Sequence, residues 1–391
     1  MKRRYITYLS CTVLACYAMV LTAISPMIMK IADTFQLDIA TIGILFTFTF
    51  VGLTVFVPIG GYLADRIGKK TVLNVSVAGL TLALIGFVNA PSFTVLCLVS
   101  IFFGGFGGVT ESMIGAFVLD LNTEKPDYYV NMTQVFFGIG AIIGPMAVGR
   151  FLSVGLDWRA AYTFLGVPLA IVAVIFLFSK TKNITDHHVK TDFDNKTLRL
   201  SELFKSKGFI LLCFAMFFYT GSEVGAWGWM CTYLEESFLF TTDQSTVAVA
   251  LFWFSLTIGR IFCGWLTSRF STVRIIVVLA LSSAFFTLIS AVVKSNIGIY
   301  TTVIAMGLAF SSQYPLILSY AGRMTGKSSG TVFSILTAFS GIGNMVVPFV
   351  MGVTGDFLGM RTAMTVPVFL FLFTGMIFIY FDKQHNKGLN Q

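Results

Sequence analysis

Three charged residues lie inside long apolar runs of this chain, and their chemistry needs explaining. Glu111 lies in GGFGGVTESMIGAFVLD, residues 104–120, Glu223 lies in FYTGSEVGAW, residues 218–227, and Arg260 lies in the apolar segment 244–267. A charged side chain at the centre of a membrane helix costs about 2.5–3.5 kcal/mol on insertion scales, so such residues usually mark functional sites.

A carboxyl group removed from water favours its neutral form, which brings proton uptake and release within reach. We therefore predict proton-coupling roles for Glu111 and Glu223. The alternative for each is a structural acid that is hydrogen-bonded to a neighbouring helix. For Arg260 we predict a structural pairing role toward one end of its span, where its long side chain can reach the membrane edge.

The composition excludes an ordinary soluble domain. The 391 residues are 56% hydrophobic and only 11% charged, whereas soluble domains carry about 25% charged residues. Mean hydropathy is +0.85, so most of the surface must face lipid. Only helices satisfy their own backbone in a lipid-exposed segment, and the sequence lacks the alternation of a barrel. We predict an all-α membrane protein with twelve spans, at 5–31, 41–64, 72–90, 94–120, 130–153, 160–179, 209–234, 244–267, 273–293, 297–322, 328–354 and 363–381.

The positive charge is a signal of membrane orientation. The chain carries 26 Lys and Arg residues, and most of them fall at the termini and in the loops that follow even-numbered spans. Cytoplasmic loops carry such an excess. We predict a multi-pass protein of the cell inner (plasma) membrane with both termini cytoplasmic. The same distribution argues against nucleic acid as a partner, although the net charge is +8.

The two halves of the chain repeat at an offset of 203 residues. GYLADR at 61–66 corresponds to GWLTSR at 264–269, and FFGIGAIIGPMAVG at 136–149 corresponds to FSGIGNMVVPFVMG at 339–352. Six spans per repeat preserve membrane orientation, so the repeats are parallel, and transporters built this way hold substrate between their halves. We predict an N-terminal half at 1–180, a cytoplasmic linker at 181–208 and a C-terminal half at 209–391.

The segment GYLADRIGKK, residues 61–70, resembles the loop between the second and third helices of the major facilitator superfamily. LDWRAAY at 156–162 also resembles a loop of that family. The resemblance implies the family's fold of twelve helices. It also implies a conformational latch made by Gly61, Asp65, Arg66, Gly68, Lys69 and Lys70.

A narrower resemblance links residues 110–145 to the fucose-permease branch of sugar–proton symporters. In that branch an acid on helix four precedes an Asn-x-x-Gln-x-Phe stretch, which corresponds here to Glu111, Asn131, Gln134 and Phe136. The resemblance implies that Glu111 carries the coupling proton and that Gln134 contacts substrate. The branch's helix-one acid is replaced by Thr22, and its second helix-five amide is replaced by Phe137. Both departures remove groups that bind hydroxyls.

Polar and aromatic side chains within the spans complete the predicted substrate site. Amide groups are costly to strand in lipid, so they should face the interior of the bundle. Aromatic rings can contact the apolar face of a sugar, although for each ring the alternative is packing against lipid or at the interface. The predicted substrate-binding residues are Tyr17, Asn131, Gln134, Tyr219, Trp227, Gln313 and Asn344.

These features predict a secondary active transporter and no enzyme. The favoured function is proton-coupled uptake of a small hydrophilic solute such as a sugar, by a monomer that has the bilayer and the solute as partners. The energy source would be a gradient of H⁺ or, as the less favoured ion, Na⁺, with no cofactor. One alternative is a proton-driven efflux antiporter for amphipathic compounds, because GIGAIIGPMAVG at 138–149 partly resembles the antiporter motif of helix five. Another alternative is a sensor that does not transport.

Overall fold

The computed structural model describes residues 2–122, 124, 126–179, 203–267, 269–324 and 330–388, and this part of the chain is helical throughout. Some side chains at helix ends, including that of Asn131, lie outside the description. Twelve segments are long and apolar enough to cross a membrane, which confirms the predicted fold class. The helices are α1 (Lys2–Thr22), α2 (Ile24–Phe35), α3 (Ile39–Ile67), α4 (Lys69–Val88), α5 (Phe93–Leu121), α6 (Pro126–Ser153), α7 (Trp158–Phe178), α8 (Lys207–Phe238), α9 (Thr242–Leu266), α10 (Thr272–Val292), α11 (Asn296–Phe310), α12 (Gln313–Met324), α13 (Gly330–Leu358), α14 (Met360–Ala363) and α15 (Val366–Gly388).

Two predicted spans, 5–31 and 297–322, are each interrupted rather than continuous. The first breaks at Ala23 between α1 and α2, and the tenth breaks at residues 311–312 between α11 and α12. Each break lies shortly before a proline, Pro26 or Pro315. Proline has no backbone N–H, so the carbonyl four residues earlier loses its helical partner. Other prolines, such as Pro145, lie inside unbroken helices, so the residue permits a break without imposing one.

Two pairs of helices join the halves, α3 with α13 and α6 with α9. In each pair a glycine lies against a threonine: Gly341 against Thr54, and Gly138 against Thr257. These contacts are equivalent under the 203-residue offset, because the glycines correspond to each other and so do the threonines. Small residues allow helix backbones to approach closely. The sequence repeat therefore produces two equivalent glycine–threonine contacts between the halves.

The halves also meet near one face of the bundle. We call the side with the termini and the even-numbered loops the basic face, and the other side the opposite face. At the opposite face α2 packs on α8 and α9, and Arg150 lies 3.7 Å from Asp243 across the halves. At the basic face the Lys69–Asp120 pair stays within one half, as does the bond from Arg323 to Thr272. Among the described residues, these side-chain contacts join the halves at the opposite face and brace each half separately at the basic face.

The predicted boundary between the halves stays a prediction. Most of the linker, residues 180–202, lies outside the described residues. The helices before and after it, α7 and α8, begin and end close to the predicted spans.

Candidate functional site

Arg260 on α9 lies at the centre of a polar cluster between the halves. Its Nη1 donates to Gln134 Oε1 on α6 at 2.8 Å, and its Nε donates to the Ser311 carbonyl at 3.0 Å. Its Nη2 lies 3.8 Å from Glu223 Oε1 on α8. One guanidinium group therefore ties α9 to two helices of its own half and to one helix of the other half.

The break between α11 and α12 explains why the Ser311 carbonyl is available. The residue four positions later is Pro315, which has no N–H to donate, so the helix leaves this carbonyl without its usual partner. Arg260 supplies the missing donor. The preceding carbonyl, that of Phe310, accepts a hydrogen bond of 2.8 Å from Tyr219 Oη on α8. The sequence SSQYP thus creates backbone acceptors in the middle of the bundle, and side chains of neighbouring helices occupy them.

Glu111 on α5 belongs to the same cluster. It interacts electrostatically with Arg260 and Glu223, which are on the other half. Tyr17 on α1 interacts electrostatically with Glu111, and its ring lies against Gly107, one turn before Glu111. Tyr314 on α12 interacts with all three charged residues. Two carboxylates facing one guanidinium carry one excess negative charge when both are ionised.

The cluster is not sealed within the protein. The side chains of Glu223 and Arg260 are 12% and 24% exposed, although both lie well inside their helices. These two charged side chains are therefore incompletely shielded from solvent.

An aromatic layer borders the cluster on the side of the opposite face. Each of three cluster residues has an aromatic residue on its own helix, one or two turns toward that face: Phe137 after Gln134, Trp227 after Glu223, and Trp253 before Arg260. Trp253 lies 5.8 Å from Phe137 and 5.9 Å from Trp227, measured between ring centroids. Phe46 of α3 continues the layer, with its ring 6.4 Å from Trp227 and 5.7 Å from that of Trp229. All these rings are buried, and together they close the site toward the opposite face.

The structure brings together five of the residues predicted for the site: Glu111, Glu223, Gln134, Tyr17 and Tyr219. Trp227 lies in the adjoining aromatic layer. Asn344 is nearly buried on α13, and its Oδ1 has no hydrogen-bond partner among the described residues. Asn131 has its side chain outside the described part, so its role stays a prediction.

Gln313 does not join the cluster. Its Nε2 donates to Ser283 Oγ on α10 at 2.9 Å and to the Ala309 carbonyl at 3.2 Å, so the amide faces within its own half. The prediction that an amide turns away from lipid holds, but the helix break rotates this side chain away from the other half. Gln313 is better described as a link between α12 and α10.

Sequence reasoning missed the central position of Arg260. Its pairing with an acid was expected, but a site between the halves was not. The available signal was Pro315 within SSQYP, because it predicts a free carbonyl that needs a donor. Trp253 was visible as an aromatic residue two turns before Arg260 on the same helix face.

The predicted latch segment forms the turn between α3 and α4. Gly68 has φ +88°, a left-handed conformation that favours glycine. Lys69 Nζ lies 2.6 Å from Asp120 Oδ2 at the end of α5, and Lys70 Nζ donates to the Phe176 carbonyl and Ser179 Oγ at the end of α7, each at 2.9 Å. These lysines brace the helices of one half.

The other latch residues are solvent-facing in this conformation. Asp65 is exposed, and Arg66 lies over the ring of Tyr62 at 4.4 Å. Gly61 has open space where a side chain would be. The exposed pair Asp65 and Arg66 lies at the basic face, and its latch role stays a prediction.

A polar site between two six-span halves is the arrangement of a membrane transporter. The chain belongs to the Major Facilitator Superfamily, whose family model matches residues 10–289 and 212–391. This confirms the family resemblance. The family and fold are those of transporters, and twelve candidate spans fit a multi-pass membrane protein.

Several known proteins are similar over most of the chain. A TsgA homolog of Buchnera aphidicola is 25% identical over 329 residues, 83% of each chain. A TsgA homolog of Yersinia pseudotuberculosis is 23% identical over 366 residues, 92% of this chain and 91% of the relative.

Solved structures support the fold. The fucose:proton symporter FucP of E. coli matches with a TM-score of 0.66 and 19% identity, over 97% of this chain and 99% of that one. The nucleoside transporter NupG matches with a TM-score of 0.77 and 13% identity over the same shares.

Proposed function

We propose that this protein takes up a small hydrophilic solute, such as a sugar, together with a proton by alternating access. The observation that carries the proposal is the cluster of Glu111, Glu223 and Arg260 between the halves. Its one excess negative charge is neutralised by one proton. Charged residues in membrane spans mark ion pathways and proton relays, so a neutralised cluster and a charged cluster should differ in how readily the halves move.

The cycle follows from charge and access. With the opposite face open, a proton neutralises Glu111, and the solute binds between the charged cluster and the aromatic layer. The neutral, loaded site then passes through the closed state at low electrostatic cost. Opening at the basic face then admits water, and Glu111 releases its proton. A transporter with an ionised Glu111 and no solute passes through the closed state poorly, because burying an unbalanced charge is costly.

Orientation and coupling belong to the same proposal. We assign the basic face to the cytoplasm and the protein to the inner (plasma) membrane, with H⁺ favoured over Na⁺ as the coupling ion and a monomer as the working unit. No cofactor enters this cycle. The structural neighbours named for fucose and for nucleosides transport ring-shaped, hydroxylated solutes, which supports a panel of such compounds as the first test.

The test is an external pH measurement on lightly buffered, de-energised cells that express the protein. Hexoses, deoxyhexoses, sugar acids, disaccharides and nucleosides are added one at a time. We expect alkalinisation with one class of solute and none with Glu111→Gln at equal expression. Alkalinisation that persists in Glu111→Gln would remove this residue from the coupling.

The second candidate is proton-driven efflux of amphipathic compounds. It is favoured by the aromatic layer of Phe137, Trp227 and Trp253, which offers more apolar than polar surface to a ligand. Silence across the panel, together with pH-driven extrusion of an apolar cationic dye that Glu111→Gln abolishes, would favour efflux over uptake.

A further inference from the structure

A second polar cluster lies between the halves, near the opposite face. Its centre is Glu235 on α8, one turn after Cys231. The Cys231 thiol lies beside the hydroxyls of Ser25 on α2 and Ser245 on α9. Ser25, Cys231 and Ser245 are at most 1% exposed, and Glu235 is half-buried. These residues join α2 of one half to α8 and α9 of the other, where the bundle is closed.

The hydrogen bonds around Glu235 suit both protonation states. Ser245 Oγ lies 2.8 Å from Glu235 Oε1 and 3.0 Å from the Thr242 carbonyl. A hydroxyl has a single proton and can donate to only one of these oxygens. When Glu235 is ionised, Ser245 donates to it. When Glu235 is protonated, it donates to Ser245, which donates to Thr242. Neither state leaves an unpaired group in this relay.

Another buried hydroxyl at this contact has only a weak partner. Ser25 Oγ on α2 lies beside the Cys231 thiol of the other half and makes no further hydrogen bond within the described part of the chain. A thiol is a weak hydrogen-bonding group, so this polar contact between the halves is a weak one. Ser25 also lies on the half that must move away when the opposite face opens.

The charged residues near this end of α8 belong to several helices. Lys30 on α2 is exposed and interacts with it electrostatically across the halves. On α9, Asp243 is engaged by Arg150 of α6. On α8 itself, Glu236 is exposed. Beyond α8, Arg361 donates to the Ser237 carbonyl at 3.2 Å.

We propose that Glu235 is a second proton-binding site, which favours closure of the opposite face when protonated and opening when ionised. Glu235 keeps its contact with Ser245 in both states, because the two residues belong to one half. Closure packs α2 of the other half against α8 and α9 beside the carboxyl, and opening would remove α2 and let water solvate it. Desolvation penalises the charged form. The attraction of Lys30 acts the other way, but it is the weaker effect because an exposed cation is screened by solvent. The proposal lies outside the central site and needs no solute.

The experiment measures the distance across the opposite face without a ligand. Cysteines replace Val154 and Ile297, which are exposed and belong to different halves, and each carries a spin label. All six native cysteines are buried, and unsubstituted protein gives the labelling background. Distance distributions are recorded in lipid nanodiscs at about pH 5 and at about pH 8, a range that covers shifted carboxyl groups. We expect the long-distance population to rise at least about threefold at the higher pH.

Matched variants assign the response to Glu235. Glu235→Gln should keep the short distance at both pH values, whereas its neighbour Glu236→Gln should behave as the unsubstituted chain. Lys30→Gln should enlarge the response, because the charged carboxylate then loses the attraction of Lys30 across the halves. This variant keeps Glu235, so it still tests the proposal if Glu235→Gln does not fold.

The spin-labelled Glu111→Gln variant separates this proposal from proton coupling at the central site. In this variant the pH-dependent change in distance across the opposite face should persist. A response that survives Glu235→Gln, that vanishes in Glu111→Gln, or that is absent from the unsubstituted chain would overturn the proposal. Loss of solute-driven alkalinisation in Glu111→Gln, with the distance response intact, would leave both proposals standing.

Discussion

The α6/α9 contact and the α3/α13 contact occupy equivalent places in the two repeats and share a backbone design. Gly138 against Thr257 in the first corresponds to Gly341 against Thr54 in the second. One turn away the contacts differ. The first carries the bond between Arg260 and Gln134, whereas the equivalent positions in the second are Val57 and Thr337.

The difference between the two contacts distinguishes the structural role of holding the halves together from the chemical role of the charged site. Both contacts hold the halves together through close backbone approach, so both can serve as pivots. Only the α6/α9 contact adds a cation that also pairs with Glu223. The aromatic layer follows the same division, since Trp253 faces Phe137 where the other contact has Phe50 and Ser340. The duplicated scaffold is therefore symmetric, and the proposed transport site is not.

The largest expected effect comes from removing the cation. Arg260→Gln leaves Glu111 and Glu223 without a counter-ion and the Ser311 carbonyl without a donor. Breaking a buried ion pair costs about 3–5 kcal/mol, and partial exposure puts this case near about 3 kcal/mol. Uptake should fall to background, and the melting temperature of the detergent-solubilised protein should drop.

Val57→Ala is the equivalent change in the other contact. It removes two methyl groups from a half-buried side chain and should cost about 1 kcal/mol with uptake retained. Equal losses in the two variants would show that Arg260 has no special role.

Alanine substitutions at the two glycine contacts should lower thermal stability equally. A methyl group added by Gly138→Ala would overlap Thr257 Oγ1, and one added by Gly341→Ala would overlap Thr54 Oγ1. Overpacking of this kind costs about 1–3 kcal/mol. Both variants should lose thermal stability to a similar extent, and Thr257→Ala should recover much of the loss in Gly138→Ala. A large loss at only one of the glycines would break the proposed equivalence of the pivots.

A smaller effect is expected for Gln134→Leu, which removes the acceptor of Arg260 on the other half. A lost hydrogen bond to a charged group costs about 1.5–3 kcal/mol, but Arg260 keeps its two other partners, so we expect about 1 kcal/mol of stability. Apparent solute affinity should fall more than the maximal rate. Thr337→Val is the equivalent change in the other contact, where it removes a hydrogen bond to Tyr314 of the cluster. A loss of affinity in Gln134→Leu no larger than that in Thr337→Val would argue against a solute role specific to Gln134.

The smallest effect concerns the caps of α3 and α9, which are also equivalent. Asp38 caps α3 and Thr241 caps α9. Hydrogen bonds from Thr41 lower the pKa of Asp38 below its ordinary value. The contribution of this cap is therefore present above the ordinary pKa of an aspartate and is lost as pH falls through the lowered value.

Asp38→Asn should remove that acid sensitivity at a cost of about 0.5 kcal/mol near neutral pH. Melting curves at several pH values, with Thr241→Ser as a control that does not titrate, measure the effect. Unchanged acid sensitivity in Asp38→Asn would contradict this account of the cap.

Sequence patterns predicted the depth of a residue in the membrane better than the direction in which its side chain points around the helix axis. Apolar runs gave the twelve spans, and the repeat gave the relation between halves, because both depend on what the lipid allows. The direction of a side chain inside the bundle depends on helix breaks and neighbours. Gln313 donates to Ser283 on α10, and Arg260 donates both to the Ser311 carbonyl at the break and to Gln134 of the other half. A family resemblance gave Glu111 and Gln134 their predicted roles, which still await transport measurements.

The most direct test of the account is solute movement in proteoliposomes that contain either the unsubstituted chain or Glu111→Gln. An active solute from the panel is followed in two assays, accumulation driven by an imposed proton gradient and exchange of labelled for unlabelled solute without one. The account predicts that Glu111→Gln abolishes accumulation and retains exchange, because a permanently neutral residue 111 permits the loaded halves to move but cannot carry a proton. Accumulation at the unsubstituted level in Glu111→Gln would contradict it.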